Sequence, residues 1–437
     1  MGVKINRRDL LVAGGISLLA GPRAFGQNPV ATAPTAPSPA VDARATRLVE
    51  ALQRNRLLLT MTDGVPSGPG WDWLLREARG ARFTLIGEEH GVAETAQFSA
   101  ALFSALRGSG YSRMAIELSP PIAEDLQAAA RRNGLKGIVE VLTNPGAFTF
   151  HNLREEAKFL ADVIQAAPRN ERVLWGVDRE IFSDRYLISR LEGRVPKRAL
   201  EAFTRLKEAS TNALARFEQT RNPDDLFLLS EDPALVSAVR AAWSNPDHQS
   251  DLIMRTLEES LAIETAERTG GAWPYLHRRA QWKRDNLASL LTADQGRKVR
   301  PKIMMKLGYN HAIRGANYVN IFDLGSMADE VAALTGERAF HVLVLPGFGS
   351  RQAVAAQNRS FGSVATDDFD SFNAGDLRLT RVLPNVNATG HEVIDLRTPR
   401  PLAMRGLESW NSDLIRTIYG YDAAVIWKGA HASSGLE

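Results

Sequence analysis

The stretch FTLIGEEHGVAE, residues 83–94, joins an apolar run to a cluster of three carboxylates, one histidine and two glycines. The apolar run Phe83–Ile86 predicts a buried β-strand, and the following ETAQFSAALFSAL, residues 94–106, has the spacing of apolar residues that is typical of a helix. Open α/β sheets place their ligands and reactive groups at the carboxyl ends of buried strands. Residues 83–94 therefore predict an α/β protein with a site at this strand end.

The same alternation of strand and helix patterns continues along the chain. Further strand patterns lie at residues 113–118, 172–178, 302–308, 339–347, 391–397 and 422–429. Residues 183–291 show only helical spacing and predict an all-helical insertion. Strands that alternate with helices predict a mostly parallel central sheet flanked by helices. Residues 350–390, rich in Gly, Asn, Asp and Ser, predict long loops.

Composition divides the chain into three segments. Residues 1–26 carry Arg7 and Arg8 before a mildly apolar run and end in small residues, which is the pattern of a twin-arginine signal peptide. The run is shorter than the roughly 20 residues of a membrane span. We therefore expect export by the twin-arginine machinery to the periplasm or the medium, with no membrane span in the mature protein. Residues 27–43 are Ala/Pro-rich and predict an extended linker, and residues 44–437 form the α/β domain.

Charge and cysteine content exclude several kinds of site. The chain has 53 Lys and Arg and 50 Asp and Glu, and the signal peptide holds four of these bases and one of these acids, so the remainder carries 49 of each. A formally neutral chain provides no basic surface for nucleic acid. The chain contains no cysteine. This excludes disulfides, cysteine-ligated zinc, iron–sulfur clusters and covalently attached c-type haem.

Each of the first four strand patterns is followed by polar residues, as expected if one edge of the sheet carries a site. These residues are Glu88 and His90, then Glu117, then Asp178, and finally Asn310 and His311 with Arg314 beyond. Because the carboxyl ends of parallel strands lie at the same edge of a sheet, we expect these side chains to converge on one crevice.

Each of these positions also has a purely structural explanation. Glu117 could cap the following helix, and His311 could be a core histidine bonded to a carbonyl. Asp178 could form an ion pair with Arg179 or Arg185. The joint pattern favours a site.

Glu94 follows His90 by four residues, which predicts that the two side chains share one helical face. The Glu94 carboxylate could then hydrogen-bond the imidazole and fix its tautomer. Alternatively, Glu94 is an acidic residue favoured by the N-terminal end of the helix dipole.

Sequence signatures of several enzyme classes are missing. The chain has no G-x-S-x-G, H-E-x-x-H, Walker A or G-x-G-x-x-G pattern. A serine hydrolase and a nicotinamide enzyme therefore lose support. What remains is histidine and glutamate chemistry without a covalent nucleophile.

Several stretches resemble, in order, the sequence pattern of the erythromycin esterase-like family, and more distantly the ChaN-like and TraB/Tiki-like proteins. They are LIGEEHGVAE, SRMAIEL, LWGVD, WKRDNLASLL, KIMMKLGYNHA, SMADEVAALTGERAFHVLVLPGFGS and YDAAVIWKGAHAS. Erythromycin esterases typically space the first Glu and His three residues apart, whereas Glu88 and His90 are two apart, as in ChaN-like chains. The family's His-Asn-x-His strand end is Gly-Tyr-Asn-His at residues 308–311, with one histidine fewer.

The resemblance implies an exported hydrolase that cleaves an ester or lactone with activated water. By position in the motifs, His90 would be the general base, Glu88 and Glu117 would orient it or the water, and His311 would bind the oxyanion or the leaving group. A neutral imidazole with a pKa near its ordinary value of about 6.5 is the best base near neutral pH. The candidate supporting or substrate-binding residues are Glu94, Asp178, Asn310, Arg314, Tyr309 and His151.

Two alternative functions involve a bound group. A TraB/Tiki-like metal-dependent hydrolase would hold Zn²⁺ or Mn²⁺ with Glu88, His90, Glu117 and His311. A ChaN-like haem- or ligand-binding protein would use Tyr309 and His311 as haem ligands, although a neutral chain does not especially favour anionic haem. The aromatic and histidine side chains expected to line the pocket, or else to pack in the core, are Phe148, Phe150, His151, Trp273 and Trp282.

Overall fold

The computed structural model describes residues 39–297, 299–355, 360–365, 390–404 and 412–436. Residues 1–38 lie outside this part of the chain, so the signal peptide and most of the expected linker stay predictions. The first helix, α1, is Pro39–Arg54 and thus begins within the segment 27–43 that we expected to be extended.

Within the described residues, ten strands form one sheet. They are β1 (Arg56–Thr62), β2 (Val65–Ser67), β3 (Phe83–Glu88), β4 (Tyr111–Ile116), β5 (Leu174–Gly176), β6 (Lys302–Gly308), β7 (Ala339–Ala355), β8 (Ser360–Ala365), β9 (His391–Asp395) and β10 (Ala423–Ala430). Their order across the sheet is β2-β1-β9-β10-β7-β3-β6-β4-β5, and β8 pairs with β7 outside this path. All the strands predicted from the sequence are present, and β1, β2 and β8 are additional.

The central part of the sheet is parallel. The neighbouring strands β10, β7, β3, β6, β4 and β5 all run in the same direction. The strands at one edge alternate in direction. β9 is antiparallel to β10, β1 is antiparallel to β9, and β2 is antiparallel to β1. β3 lies in the middle and is buried along its whole length, with Glu88 opposite Gly308 of β6 and Val344 of β7. This register brings the carboxyl ends of β3, β4 and β6 to one edge.

Helices cover both faces of the sheet. After α1 they are α2 (Pro69–Arg79), α3 (Ala93–Leu106), α4 (Pro120–Leu142), α5 (Arg154–Gln165), α6 (Asp184–Leu191), α7 (Leu200–Thr220), α8 (Phe227–Ser230), α9 (Ala234–Ala242), α10 (His248–Gly270), α11 (Ala272–Ala293), α12 (Tyr309–Ala312), α13 (Leu324–Leu334), α14 (Arg400–Met404) and α15 (Ser412–Gly420). Short 3₁₀ turns lie at Arg107–Ser109, Lys197–Ala199 and Pro223–Asp225. In the part of the chain that the structure describes, no helix has both the length and the apolarity needed to cross a membrane.

The continuous apolar run in β3 has a structural reason. Successive side chains of a strand point to opposite faces, and both faces of β3 are covered. Phe83 and Leu85 pack in a cluster with Leu324 of α13, whereas Ile86 packs in a second cluster with Phe98 of α3. Burying a side chain of this size contributes about 1.5–3 kcal/mol, so both clusters stabilise the strand that carries the site.

Between β5 and β6 the described chain forms helices, from α6 to α11, which confirms the predicted α/β fold with an all-helical insertion. α11 crosses the carboxyl edge of the sheet, where Asn286 donates a hydrogen bond to the Val177 carbonyl at 3.1 Å.

Residues 350–355 and 360–365 were expected in long loops, but they form the antiparallel arms of a β7–β8 hairpin. Residues 366–389 lie outside the described part. The hairpin extends the sheet beyond the carboxyl edge, where Arg351 forms an ion pair with Glu89 at 3.3 Å.

Candidate active site

Two histidines from different strand ends face one carboxylate at the carboxyl edge of the sheet. Glu117, just after β4, lies between His90, just after β3, and His311 of α12. The Nε2 atom of His90 is 3.4 Å from Glu117 Oε2, and the Nε2 atom of His311 is 3.2 Å from Glu117 Oε1. The structure therefore brings together three of the strand-end residues that the sequence singled out.

His90 is held by a carboxylate, an aromatic ring and a tight turn. Its Nδ1 atom is 2.9 Å from Glu88 Oε1, and its ring stacks on Phe150 with 5.1 Å between centroids. Gly91 continues the chain at a φ of +84°, which favours glycine. A Cβ atom on Gly91 would also collide with the backbone of Gln352. The imidazole is 15% exposed, so one part of it reaches solvent.

Two carboxylates make His90 a cation at neutral pH. Burial disfavours the charged form, but the close contact with Glu117, the hydrogen bond with Glu88 and the charges of both carboxylates raise the pKa of His90 to about 10. The expectation of a neutral imidazole with a pKa near 6.5 is therefore wrong for the free protein. In the free protein near neutral pH, both ring nitrogens of His90 therefore carry a proton.

Glu117 stays ionised although it is buried. Burial alone would raise its pKa, but the charge of His311 and the hydrogen bond and charge of His90 lower the pKa of Glu117 to about 2. Oε2 of Glu117 also accepts the backbone N–H of Gly308, and Oε1 is 3.5 Å from the guanidinium of Arg279. Glu117 and His90 thus form a carboxylate–imidazolium pair.

His311 is oriented by an aspartate and a lysine that the sequence reasoning missed. Its Nδ1 atom is 2.6 Å from Asp323 Oδ2 and 2.5 Å from Lys283 Nζ. Asp323 also accepts the backbone N–H of Leu324 at 2.8 Å at the start of α13. Burial would raise the pKa of Asp323, but the charges of Lys283 and His311 hold this pKa well below its ordinary value.

A buried lysine joins Glu88 to a second carboxylate–histidine pair. Lys306 of β6 donates hydrogen bonds to Glu88 Oε1 at 2.6 Å and to Glu156 Oε1 at 2.8 Å. The other oxygen of Glu156 is 2.9 Å from His151 Nδ1. Burial would raise the pKa of Glu156, but the charge of Lys306 and the hydrogen bond with His151 lower this pKa to about 2. His151 is therefore linked to His90 through Glu156, Lys306 and Glu88.

Asp178 belongs to the same charged network. Its two oxygens lie 2.5 and 3.2 Å from the guanidinium nitrogens of Arg279. Burial would raise the pKa of Asp178, but the charges of Arg279 and Lys283 hold this pKa well below its ordinary value. The side chain of Arg179, one of the two partners considered from the sequence, instead forms an ion pair with Glu264 at 2.6 Å.

Gly308 lies directly against the three facing groups. A Cβ atom on Gly308 would lie 3.2 Å from Glu117 Oε2, 3.3 Å from His90 Nε2 and 3.7 Å from His311 Cδ2. The first two distances are tight for a carbon atom, so a methyl group at this position would press against both the carboxylate and the imidazole. At φ −53° and ψ 141° the backbone of Gly308 accepts any residue. What glycine provides here is the absence of a side chain, and not a special backbone conformation.

Three buried polar atoms of the site form no hydrogen bond that meets the usual geometry. Among the described residues, no hydrogen-bond partner satisfies Oε2 of Glu88 or the Nε2 atoms of His90 and His311. Because buried polar atoms in proteins are normally hydrogen-bonded, these atoms indicate a site that binds a polar ligand.

The structure places Glu94 away from His90. α3 begins at Ala93, so His90 precedes the helix and the four-residue spacing does not put the two side chains on one face. Oε1 of Glu94 is instead 2.5 Å from Nδ1 of His431.

Three further candidates stabilise neighbouring loops. Asn310 accepts the backbone N–H of Tyr318 at 3.1 Å, and the ring of Tyr309 packs edge-on against Tyr318 at 5.5 Å. Arg314 forms an ion pair with Asp422 at 3.0 Å.

Among the aromatic residues expected to line the pocket, Phe150 contacts the site by stacking on its histidine. Trp273 is 62% exposed and stacks on His277. Phe148 and Trp282 pack in two small apolar clusters.

The charged residues that the sequence reasoning missed are Glu156, Arg279, Lys283, Lys306 and Asp323. A signal existed for Lys306, because a lysine inside the apolar strand KIMMKLG is costly to bury unless carboxylates pair with it. Arg279 and Lys283 are four residues apart in a predicted helix and so share one face. Asp323 lies in a loop, where spacing carries no information about contacts.

The donor set does not fit a divalent metal. Within the described ranges, no group of three or more His, Asp or Glu side chains is arranged to hold a metal ion. Glu88 is paired with Lys306 and Glu117 with His90. The metal-dependent alternative stays a prediction that this geometry does not support.

Comparison with solved structures relates the fold to known proteins. The structure aligns with a protein from Bacillus cereus over 90% of this chain and 99% of that chain at 13% identity and a TM-score of 0.57. It aligns with a succinoglycan biosynthesis protein over the same shares at 14% identity and a TM-score of 0.59. A mutant of the erythromycin esterase EreC in its open conformation aligns over 84% of this chain and 95% of that chain, at 14% identity and a TM-score of 0.52.

These proteins share the fold. No protein-family model matches the sequence, and no curated protein matches it. At 13–14% identity the likeness extends to the architecture alone. The α/β sheet with its helical insertion is therefore an architecture that also occurs in an erythromycin esterase.

Proposed function

We propose that this protein is a hydrolase that cleaves an ester or lactone with an activated water molecule and without a covalent nucleophile. The Glu117–His90 pair carries the proposal, because it places an ionised carboxylate 3.4 Å from an imidazolium at the carboxyl edge of the sheet. Hydrolysis needs a water oxygen held by a base and a leaving group held by an acid. The fold shared with EreC supports the same reaction class.

In the proposed mechanism Glu117 is the general base and His90 is the general acid. A water molecule beside Gly308 gives a proton to Glu117 while its oxygen attacks the carbonyl carbon, and the carbonyl oxygen becomes an oxyanion. The carbon–oxygen bond to the leaving group then breaks, and the leaving oxygen takes the Nε2 proton of His90. A carboxylic acid and an alcohol result. Transfer of the proton from Glu117 to Nε2 of His90, across 3.4 Å, restores the starting state.

The remaining groups have positioning roles in this mechanism. Glu88 accepts the Nδ1–H of His90, which directs the Nε2–H toward the reacting atoms. Asp323 and Lys283 hold the His311 ring so that its Nε2 faces the same space, where it can donate to the oxyanion.

The charge balance does not favour haem binding, the alternative that would use Tyr309 and His311. Haem carries two propionates, and each cation near the site already pairs with a buried carboxylate. Lys306 pairs with Glu88 and Glu156, Arg279 with Asp178, and Lys283 with Asp323. Binding an anion here would add negative charge to a site in which carboxylates outnumber the lysine and arginine side chains.

The test is a panel of esters and lactones with the wild type, Gly308→Ala and the control Gly108→Ala. The added methyl in Gly308→Ala would occupy the space between Glu117 and His90, so turnover should fall by about 10²-fold or more. Nothing lies within 4 Å of a Cβ atom on Gly108, so the control should behave like the wild type.

Circular dichroism and melting temperatures should show that both glycine variants fold. A folded Gly308→Ala protein with wild-type turnover would exclude the Glu117–His90 pair as the reaction site. Each assay is repeated with a chelator, which should leave turnover unchanged. Loss of activity on chelation would favour the metal-dependent alternative.

A further inference from the structure

The C-terminal segment, residues 431–436, lies against the turn that follows the site histidine. The backbone N–H of Ser433 donates to the Gly91 carbonyl at 2.9 Å. The backbone N–H of Ala93 donates to the His431 carbonyl, also at 2.9 Å. These hydrogen bonds flank an isolated antiparallel bridge between the turn and the segment. The turn is therefore paired on one side by the last residues of the described chain.

Glu94 fixes the beginning of this segment. Its Oε2 atom accepts the backbone N–H of His431 at 3.0 Å, and its Oε1 atom is 2.5 Å from Nδ1 of the same residue. Glu94 is buried, although it stands in the first turn of α3 where a solvated carboxylate would suffice for the helix dipole. Both of its carboxylate oxygens contact His431.

The same segment caps helix α5. The Ser434 carbonyl accepts the backbone N–H of Arg154 at 2.8 Å, which is one of the first-turn amides that have no partner inside a helix. The backbone N–H of Ser434 donates to Glu155 Oε2 at 2.7 Å. α5 follows the loop that contains Phe150 and carries Glu156, so the segment reaches both sides of the site.

We propose that residues 431–436 are a positioning element of the active site, which ties the turn at Gly91 to the start of α5 and so holds the His90 ring against Phe150. The two stacked rings belong to these two segments, at 5.1 Å between centroids and 9° between planes. The kinetic consequence rests on the proposed hydrolysis. A displacement of about 1 Å in a reacting group can cost about 10²-fold in rate.

The test compares Ser433→Pro with Ser433→Ala in the full-length chain. Proline removes the N–H that binds the Gly91 carbonyl, whereas alanine keeps it and removes only a hydroxyl that has no partner among the described residues. Ser433→Pro should lower kcat by about 10–100-fold with a smaller change in KM, because the substrate contacts remain. Ser433→Ala should match the wild type.

A second readout needs no substrate. Because Phe150 stacks on His90, its ring current should shift the proton resonances of the His90 ring in NMR spectra. These resonances are assigned by comparison with His90→Gln. This shift should decrease in Ser433→Pro and persist in Ser433→Ala. If Ser433→Pro does not fold, Glu94→Gln replaces it, because that variant weakens both contacts to His431 and is measured in the same way.

A folded Ser433→Pro or Glu94→Gln protein with an unchanged His90 resonance and unchanged kcat would overturn the positioning role. If the wild type hydrolyses no ester or lactone, the proposed function fails, and the NMR comparison alone decides the role of the segment.

Discussion

His90 differs from a simple catalytic base because two carboxylates face it. Glu88 binds Nδ1 and Glu117 faces Nε2, while Lys306 and Arg279 neutralise part of the carboxylate charge. The result is a pKa of about 10, above neutral pH. A group with this pKa donates a proton readily only when a strongly basic atom, such as a leaving alkoxide, forms beside it.

The pH dependence of kcat/KM distinguishes an acid from a base at His90. If His90 donates the proton, kcat/KM should be constant near neutral pH and fall as the pH rises through about 10. His90→Gln should lose about 10²–10⁴-fold in turnover and the alkaline decline. The exposed His277, replaced by Gln, is the control and should leave the profile unchanged. A rate that instead climbs with pH toward 10 would assign the role of base to His90.

At the residue scale, the sequence predicted contacts between strand ends but not contacts that depend on where a helix begins. Glu88, His90, Glu117 and His311 follow buried strands, and the parallel register alone brings such positions together. Glu94 was assigned to His90 by helical spacing, which fails because Gly91 turns the chain before the helix begins.

Elements are joined at this site by buried ion pairs. Lys306 projects from β6 toward Glu88 at the end of β3 and toward Glu156 on α5. All three side chains are buried. Removing one partner of such a group leaves an uncompensated buried charge, which costs about 3–5 kcal/mol.

A charge-matched pair of substitutions tests this link between β6 and α5. Lys306→Met should lower the free energy of unfolding by about 3–5 kcal/mol, measured by urea denaturation at pH 7. Adding Glu156→Gln removes one negative charge as well, so the double variant should be more stable than the sum of the single effects predicts, with a coupling of about 0.5–3 kcal/mol.

The exposed pair Lys158–Asp162 on the same helix provides the control, at 62% and 42% side-chain exposure. Lys158→Met should change the free energy of unfolding by less than about 1 kcal/mol. Additive effects of Lys306→Met and Glu156→Gln would mean that the lysine and the glutamate stabilise the fold independently.

At the element scale, buried strands and amphipathic helices were predictable because each has a periodic pattern. β1, RLLLTMT, was missed although it is apolar. It lies near the edge of the sheet, and most of its side chains are only partly buried. The next element in the sequence is the short strand β2 and not a helix, so the strand–helix alternation gives no signal here. The β7–β8 hairpin was missed because its Gly- and Ser-containing sequence has the composition of a loop.

The described part of the molecule holds several ionised groups in its interior, and their pKa values connect folding to pH. The carboxylates Glu117 and Glu156 have pKa values lowered to about 2 in the folded protein, below their ordinary value of about 4.5. Their contribution to stability is present above about pH 4.5 and is lost as the pH falls through 2.

His90 acts in the opposite direction. Its folded pKa of about 10 lies above the value of 6.5 expected in the unfolded chain. Its contribution to the free energy of unfolding is therefore complete below about pH 6.5 and is lost as the pH rises through 10. Together, these three groups should make the protein most stable between about pH 4.5 and 6.5.

Melting temperatures of the wild type and His90→Gln, measured from pH 6 to pH 10.5, test this linkage. Over this range the free energy of unfolding of the wild type should fall by more than that of His90→Gln, with a difference on the order of a few kcal/mol. The reason is that only the wild type has a proton on His90 to lose. All other titrating groups are common to both proteins, so the difference between the two curves isolates His90. Two curves that stay parallel up to pH 10.5 would mean that the imidazole is not protonated in the folded protein, and Glu117 would then lack the imidazolium partner that the proposed mechanism requires.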